Sequence, residues 1–252
     1  MPVTVVVRSV SGKETGLEGV KFVEMDIHEP PAEAFFRIGS PGILVHLAWG
    51  GLNDCMSSTH VENELPKQYR FLRGMVTTGL KNVVVAGTCY EYGMQSGPLD
   101  EACDARPITP YGIAKDALRR QLEHLKQSHD FNLTWAKWLY MFGLGQAENA
   151  LQSQLRRAVE HGEKMFNISG GEQLRDYLPV EDVANTIVQL AIGRTNYGVV
   201  NVCSGKPVSV RTRVEGWLRE NGWSIELNLG HYPYREYEPM AFWGVTKNTR
   251  VL

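Results

Sequence analysis

The sequence predicts an α/β fold, a doubly wound parallel sheet followed by a small C-terminal lobe. Three observations carry that expectation. Short β-branched runs alternate with longer amphipathic stretches from Val3 onward. The run "GILVHLAWGG" is almost continuously apolar, as a parallel strand is when helices cover both its faces. No internal repeat or low-complexity tract breaks the rhythm.

In chain order, Val3 to Val7 and Val20 to Met25 read as strands joined by a glycine-containing loop, the second strand ending in an acid. After "GILVHLAWGG" a helix is expected over Thr59 to Thr78, then the strand "KNVVVAGT". In "TPYGIAKDALRRQLEHLKQSHD", Thr109 suits a helix cap and Pro110 the first helical position. Ile113, Ala117, Leu118, Leu122 and Leu125 then recur at helical spacing. The strand "NLTWAKWLYMFG" closes this half, and the rhythm changes after Gly145. A helix over 150–162, the segment "MFNISGGEQLRDYLPVEDVANTIVQLA" and a part rich in Pro, Tyr and Trp fit a smaller lobe with one helix packed back on the sheet. The expected division is therefore 1–148 and 149–252.

Composition narrows the functional classes. The net charge of −2 comes from 26 basic and 28 acidic residues mixed along the chain, so no basic stripe awaits nucleic acid and no polybasic segment awaits a membrane. Cys55, Cys89, Cys103 and Cys203 lie far apart without a C-x-x-C pair, which argues against a metal site and a disulfide framework. With no apolar run of about 18 residues and no signal-like N-terminus, a soluble cytoplasmic protein acting on a small ligand is expected.

Ligands of such sheets bind beyond the carboxyl ends of the strands, which directs attention to "YGIAK". Tyr111 and Lys115 are four apart, on one helical face. A phenol is a poor base at neutral pH, but an adjacent ammonium stabilises the phenolate and lets it exchange protons with a hydroxyl or carbonyl. Such a pair is equally an exposed helical neighbour pair. Thr88, at the end of the strand "VVVAGT", adds a hydroxyl where the sheet holds its ligands, and the three together suit hydride transfer.

The order "FVEMDI", "VHLAWGG", "GTCYEYG", "PYGIAK", "RDYLPVEDVA" resembles the extended short-chain dehydrogenase/reductase family, the NAD(P)-dependent epimerases, dehydratases and reductases of nucleotide sugars, from Val3 to about Lys247. The resemblance implies a Rossmann-like domain with a catalytic Thr88, Tyr111 and Lys115. Thr88 would orient the substrate oxygen, Tyr111 would give or take the proton, and Lys115 would hold the nicotinamide ribose and lower the Tyr111 pKa. Asp26 and Ile27 would contact adenine. Leu47, Ala48 and Trp49 would flank the pyrophosphate and ribose, Trp49 standing where glycine is frequent. Asn63 and Leu139 would complete the cofactor site, and Cys89, Tyr140 and Arg235 would face substrate. Tyr140 stands where relatives usually carry an asparagine, and Arg235 matches a diphosphate-gripping arginine. Leu47 and Ala48 would be buried under any function, and Asp182 suits a helix cap.

The resemblance also implies a G-x-x-G-x-x-G loop and a helix whose N-terminus receives the pyrophosphate. "SGKETGLEG" contains Gly12, Gly16 and Gly19, but a strand starts at Val20 with no intervening helix. "VTVVVRS" thus matches the family's second strand, and a βα unit of roughly 30 residues is expected to be missing ahead of it.

At the end of that strand an acid suits NAD and an arginine the extra phosphate of NADP. Arg8, followed by Ser9, favours NADP over NAD. The leading reading is an oxidoreductase or isomerase moving a hydride to or from carbon four of a nucleotide-linked sugar. A ketoreductase on a non-sugar carbonyl and a cofactor-free relative that binds or assembles are the alternatives. Cys89 and Tyr90 stand where dehydratases usually carry an acid pair, which favours a reductase or epimerase. A homodimer is implied through the helices around Thr59 to Thr78 and Tyr111 to His129.

Overall fold

The computed structural model describes residues 2–11 and 18–246. Gly12, Gly16 and Lys247 therefore lie outside the described residues. In the first half the elements are β1 (Val3–Val7), β2 (Val20–Glu24), α1 (Ala34–Arg37), β3 (Leu44–His46), α2 (Leu65–Thr78), β4 (Asn82–Ala86), β5 (Gly97–Leu99), α3 (Pro110–Leu125), β6 (Asn132–Trp138) and β7 (Tyr140–Phe142). The second half contributes α4 (Leu151–Glu160), β8 (Met165–Asn167), β9 (Leu174–Pro179), α5 (Val180–Ile192), β10 (Gly198–Val202), β11 (Pro207–Ser209), α6 (Val210–Asn221), β12 (Glu226–Asn228) and β13 (Phe242–Gly244).

Four parallel strands, in the order β10-β6-β4-β3, form the main sheet. Successive residues of β4 point to opposite faces and show how both are covered. Val83 and Val85 pack with Phe71, Leu72, Leu118 and Leu122 of α2 and α3, while Val84 packs with Val183, Ile187 and Leu190 of α5. Helices on both faces of a parallel sheet are the expected doubly wound arrangement.

The pair β1-β2 is also parallel but forms a separate sheet. It joins the same core through Val6, Val23 and Met25. Among the described residues no strand pairs with the second edge of β1 or of β3, so β1-β2 and the four-stranded sheet stay separate.

Local chemistry explains the element ends. Thr109 caps α3, its hydroxyl accepting from the Gly112 amide at 3.1 Å, with Pro110 at the first helical position. The helix expected from Thr59 opens as a π turn, His60–Glu64, and becomes α-helical only at Leu65. Pro66, which has no N–H to give the α ladder, stands at that junction. The long strand "NLTWAKWLYMFG" divides at Leu139: β6 stays in the main sheet, while β7 joins a second sheet, β11-β9-β7. The four-residue α1 was too short to show a helical period.

That second sheet and the pair β12-β8 build the smaller lobe over a core of Leu155, Phe166, Ile168, Val214 and Trp217, while β13-β5 packs with Cys89 and Tyr92. The chain then returns to the main sheet with a strand, β10, as well as the expected helix, α5. No described helix is long and apolar enough to cross a membrane.

Candidate active site

Because β3, β4 and β6 run parallel in one sheet, their carboxyl ends deliver Leu47, Thr88 and Leu139 to one side of it, and the parallel ends of β1 and β2 deliver Arg8 and Asp26 together. Thr88 is buried and caps a single 3₁₀ turn, Cys89–Tyr92, its Oγ1 accepting from the Tyr90 amide at 3.3 Å. The start of α3 is held against this turn. The Tyr111 amide donates to the Cys55 carbonyl oxygen at 3.1 Å, and a Cβ on Gly112 would lie 2.6 Å from the Tyr90 carbonyl oxygen. Glycine at 112 thus permits the close approach of α3 to this turn, which brings the Tyr111 side chain beside Thr88.

Lys115, one turn along, is fully buried, and its Nζ donates to the Ala86 carbonyl oxygen at 2.7 Å. Burial lowers its pKa to about 7 against the attraction of Glu91 and Glu64. The same Nζ lies 4.1 Å above the Trp49 ring and 5.8 Å from the Tyr111 ring centroid. Burial holds the Tyr111 phenol above its ordinary value. Lys115, expected to lower it, here donates to Ala86 and lies over Trp49.

Trp49, His60, Tyr90 and Tyr111 form an aromatic cluster beside the trio. The Trp49 Nε1 donates to His60 Nδ1 at 3.0 Å, and His60 is fully buried with its ring 5.1 Å from that of Tyr111. From the π turn it is Glu64, not Asn63, that points inward. Asn63 is exposed, whereas Glu64 accepts from the Gly50 amide at 2.9 Å and from Gln68 at 3.0 Å. A π turn carries about one residue more per turn than an α turn, which rotates the inward position away from the one a regular helix would give.

Elsewhere the expected cofactor residues occupy strand ends. Arg8 is exposed after β1, beside a surface cavity it lines with Ser9 and Ser11. Asp26 is exposed after β2 and accepts from the His28 amide at 2.9 Å, while Ile27 packs on the core. Leu47 and Ala48 are exposed rather than buried, which removes the purely structural account of them. Leu139 packs with Cys89 and Tyr140 beneath the Thr88 turn.

Toward the small lobe opens a cavity of about 650 Å³ lined by Tyr140, Gln173, Arg175, Tyr177, Arg235 and Glu238 among others. Tyr140 and Glu238 also line a smaller recess with Cys89, Tyr90 and Thr109, so they stand between the cavity and the trio. The Glu238 carboxylate accepts from the hydroxyls of Tyr90 at 3.0 Å and Tyr140 at 3.3 Å, and from Arg175 at 3.2 Å and Arg235 at 3.1 Å. Arg175 and Glu238 were not recognised in the sequence, although Arg175 opens "RDYLPVEDVA" and Glu238 lies three residues beyond Arg235. Among the described residues no group of three or more His, Cys, Asp or Glu side chains could hold a metal ion.

A hydroxyl, a phenol and a buried ammonium gathered at the carboxyl ends of a doubly wound parallel sheet define a short-chain dehydrogenase/reductase type of site. The profile of the NAD dependent epimerase/dehydratase family matches residues 1–203, and the chain belongs to that family. It is 34% identical over 202 residues, 80% of this chain and 74% of the relative, to dTDP-6-deoxy-L-talose 4-dehydrogenase (NAD(+)) of Aggregatibacter actinomycetemcomitans. It is 25% identical over 231 residues, 87% of this chain and 67% of the relative, to UDP-glucuronate 4-epimerase of Thermodesulfobacterium geofontis. Among solved structures, MoeE5 in complex with UDP-glucose and NAD superposes with a TM-score of 0.82 at 25% identity, covering 99% of this chain and 83% of that one. A UDP-N-acetylglucosamine 4-epimerase from Methanobrevibacter ruminantium shares the fold with a TM-score of 0.86 at 20% identity, covering 98% and 83%.

Proposed function

We propose that the protein moves a hydride between a nicotinamide dinucleotide and carbon four of a nucleotide-linked sugar. The observation that carries this reading is the meeting of Thr88, Tyr111 and Lys115 at the sheet's carboxyl end, beside a cavity with two arginines in its lining. The 4-dehydrogenase and 4-epimerase activities named for the chain's relatives support the same reaction class.

The residues fit a nicotinamide ribose in kind: a buried ammonium and a phenol sit next to the exposed Leu47 and Ala48. When bound, the nicotinamide would supply or accept the hydride. Thr88 holds the substrate oxygen. Tyr111 keeps its proton at neutral pH because burial raises its pKa, so it acts first as an acid, giving Oη–H to the oxygen of a C4 ketone as the carbon gains hydride. Lys115, near neutrality in pKa, suits return of that proton. In the oxidative direction the same atoms run backwards.

Arg8 and Ser9 support NADP, while the NAD in the relatives' names supports NAD. The diphosphate falls to Arg175 and Arg235 in this reading. Exposed Val61 and Ile113, on the π turn before α2 and on α3, support pairing of two copies through these helices, to be checked by light scattering. A cytoplasmic setting accords with four free cysteines.

The test incubates the protein with NAD(P)+ and a nucleotide-linked 6-deoxyhexose, following nicotinamide absorbance and separating the sugars by chromatography. A dehydrogenase changes the absorbance; an epimerase yields the C4 epimer without net change. Tyr111→Phe should lower either rate by about a hundred to ten thousandfold. Neither product forming from any nucleotide sugar tested would remove the reading.

A further inference from the structure

We propose that Glu91 is a positioning residue, a buried carboxylate that fixes Thr88 from behind and couples that turn electrostatically to Lys115. The proposal rests on the reading of Thr88, Tyr111 and Lys115 given above.

A capping-box glutamate normally sits at a helix surface. Glu91 closes such a box with Thr88 and is 0% exposed. Its Oε1 accepts from the Thr88 amide at 2.9 Å, and Trp135 Nε1 donates to both oxygens at 2.9 and 3.1 Å. Lys137 Nζ stands 3.7 Å from Oε2 and Arg119 Nε 4.0 Å. The donors and cations thus come from the turn itself, from β6 and from α3. The backbone makes room as well: a Cβ on Gly87 would lie 2.9 Å from Oε1 and would also collide with the Trp135 indole nitrogen.

Burying a carboxylate costs several kcal/mol before its partners repay it, and an apolar residue of similar size often serves a fold equally well. What only the carboxylate supplies is a fixed acceptor for the Thr88 amide and a negative charge, which burial disfavours and which Lys137, Arg119 and the Trp135 and Thr88 donors support. The first holds Thr88 extended, at φ −154° and ψ 149°. Its Oγ1 already accepts from the Tyr90 amide, which leaves the single O–H to donate to Tyr111 or to a substrate oxygen. The second acts on Lys115, which is also faced by Glu64 from the π turn, His46 from β3 and Tyr111 from its own helix. Glu91 is the foremost of the carboxylates that support its charged form, and burial depresses that form.

The experiment compares wild type, Glu91→Gln, which keeps a carbonyl acceptor but loses the charge, and Glu91→Val, which loses both. Lysine ¹³Cε resonances of labelled protein are titrated, with Lys115→Met and Lys137→Met identifying the two buried amines. In Glu91→Gln the Lys115 midpoint should fall by about one pH unit, and the alkaline limb of kcat should move down with it while KM changes little. In Glu91→Val, kcat should fall about a hundredfold, the cost of a misplaced reacting group. An unmoved Lys115 midpoint in Glu91→Gln overturns the proposal whether or not the protein is active. Unchanged kcat in a folded Glu91→Val does the same. If wild type turns over no nucleotide sugar, the functional reading fails separately and the Lys115 midpoint alone decides.

Discussion

Arg175 Nη2 stands 3.2 Å from Glu238 Oε2, and this ion pair, its guanidinium only 2% exposed, joins the floor of the small lobe to the segment that follows Arg235. The guanidinium also lies over the rings of Phe242 and Tyr140, 4.8 and 5.6 Å from their centroids. Removing one member of a buried pair leaves the other uncompensated, at a cost of about 3 to 5 kcal/mol. Glu238→Gln strips the buried Arg175 of its carboxylate and should lose about that much in urea unfolding. Arg175→Met, which keeps an apolar stem against the rings and leaves Glu238 paired with Arg235, should lose less. Equal losses would show that the charge contributes little beyond packing.

His46 should contribute to the acid limb of stability, beside the depressed carboxylates Glu64 and Asp116. Its ring is buried with neither nitrogen partnered among the described residues, and burial lowers its pKa from 6.5 to about 3. Between those values the unfolded chain binds a proton that the folded one refuses, so stability rises with pH from about 3 to 6.5 and is lost as pH falls through that window. His46→Phe should flatten this limb, an effect on the order of a few kcal/mol at the acid end, read as Tm against pH. Lys115, at about 7 folded against 10.5, adds a further rise in stability between those values, which Lys115→Met should abolish.

Gly112→Ala tests whether the trio depends on close approach. The added Cβ meets the Tyr90 carbonyl oxygen and must push α3 off the Thr88 turn. Alanine favours the helix by up to about 1 kcal/mol, so folding should suffer little while turnover falls about a hundredfold. Turnover within twofold of wild type would mean that the turn yields instead.

Trp49 lies on the Lys115 ammonium, the face a ribose hydroxyl would need. Trp49→Ala removes a cation–π contact worth about 0.5 to 2 kcal/mol. NAD(P)H should then bind roughly two- to thirtyfold more tightly, measured by nicotinamide fluorescence. Weaker binding would make the indole part of the cofactor cradle.

The sequence showed most clearly what depends on local pattern. Thr109 and Pro110 announced α3, and the apolar runs announced β3 and β4, because caps and burial act within a few residues. Thr88, Tyr111 and Lys115 were recognisable because strand ends and helix starts are local signals. What escaped depended on distance in sequence: Glu238 meets Tyr90 across 148 positions, and Trp135 reaches Glu91 across 44. Glu64 escaped for another reason, since the π turn turns it, and not Asn63, inward without altering composition.

Among the described residues the pair β1-β2 takes its strand pairing only from itself, and it packs on the rest of the molecule through side chains such as Val6 and Val23. Cooperativity follows hydrogen-bond continuity as well as packing, so this pair constitutes a unit able to detach while β4, β6 and α5 stay folded. Amide exchange should report it directly: the protons of Val5 and Val23 leave through a low-energy opening, those of Val84 and Ala136 only when the whole domain unfolds. The adenine end of the site would then have its own stability, separate from that of the chemistry.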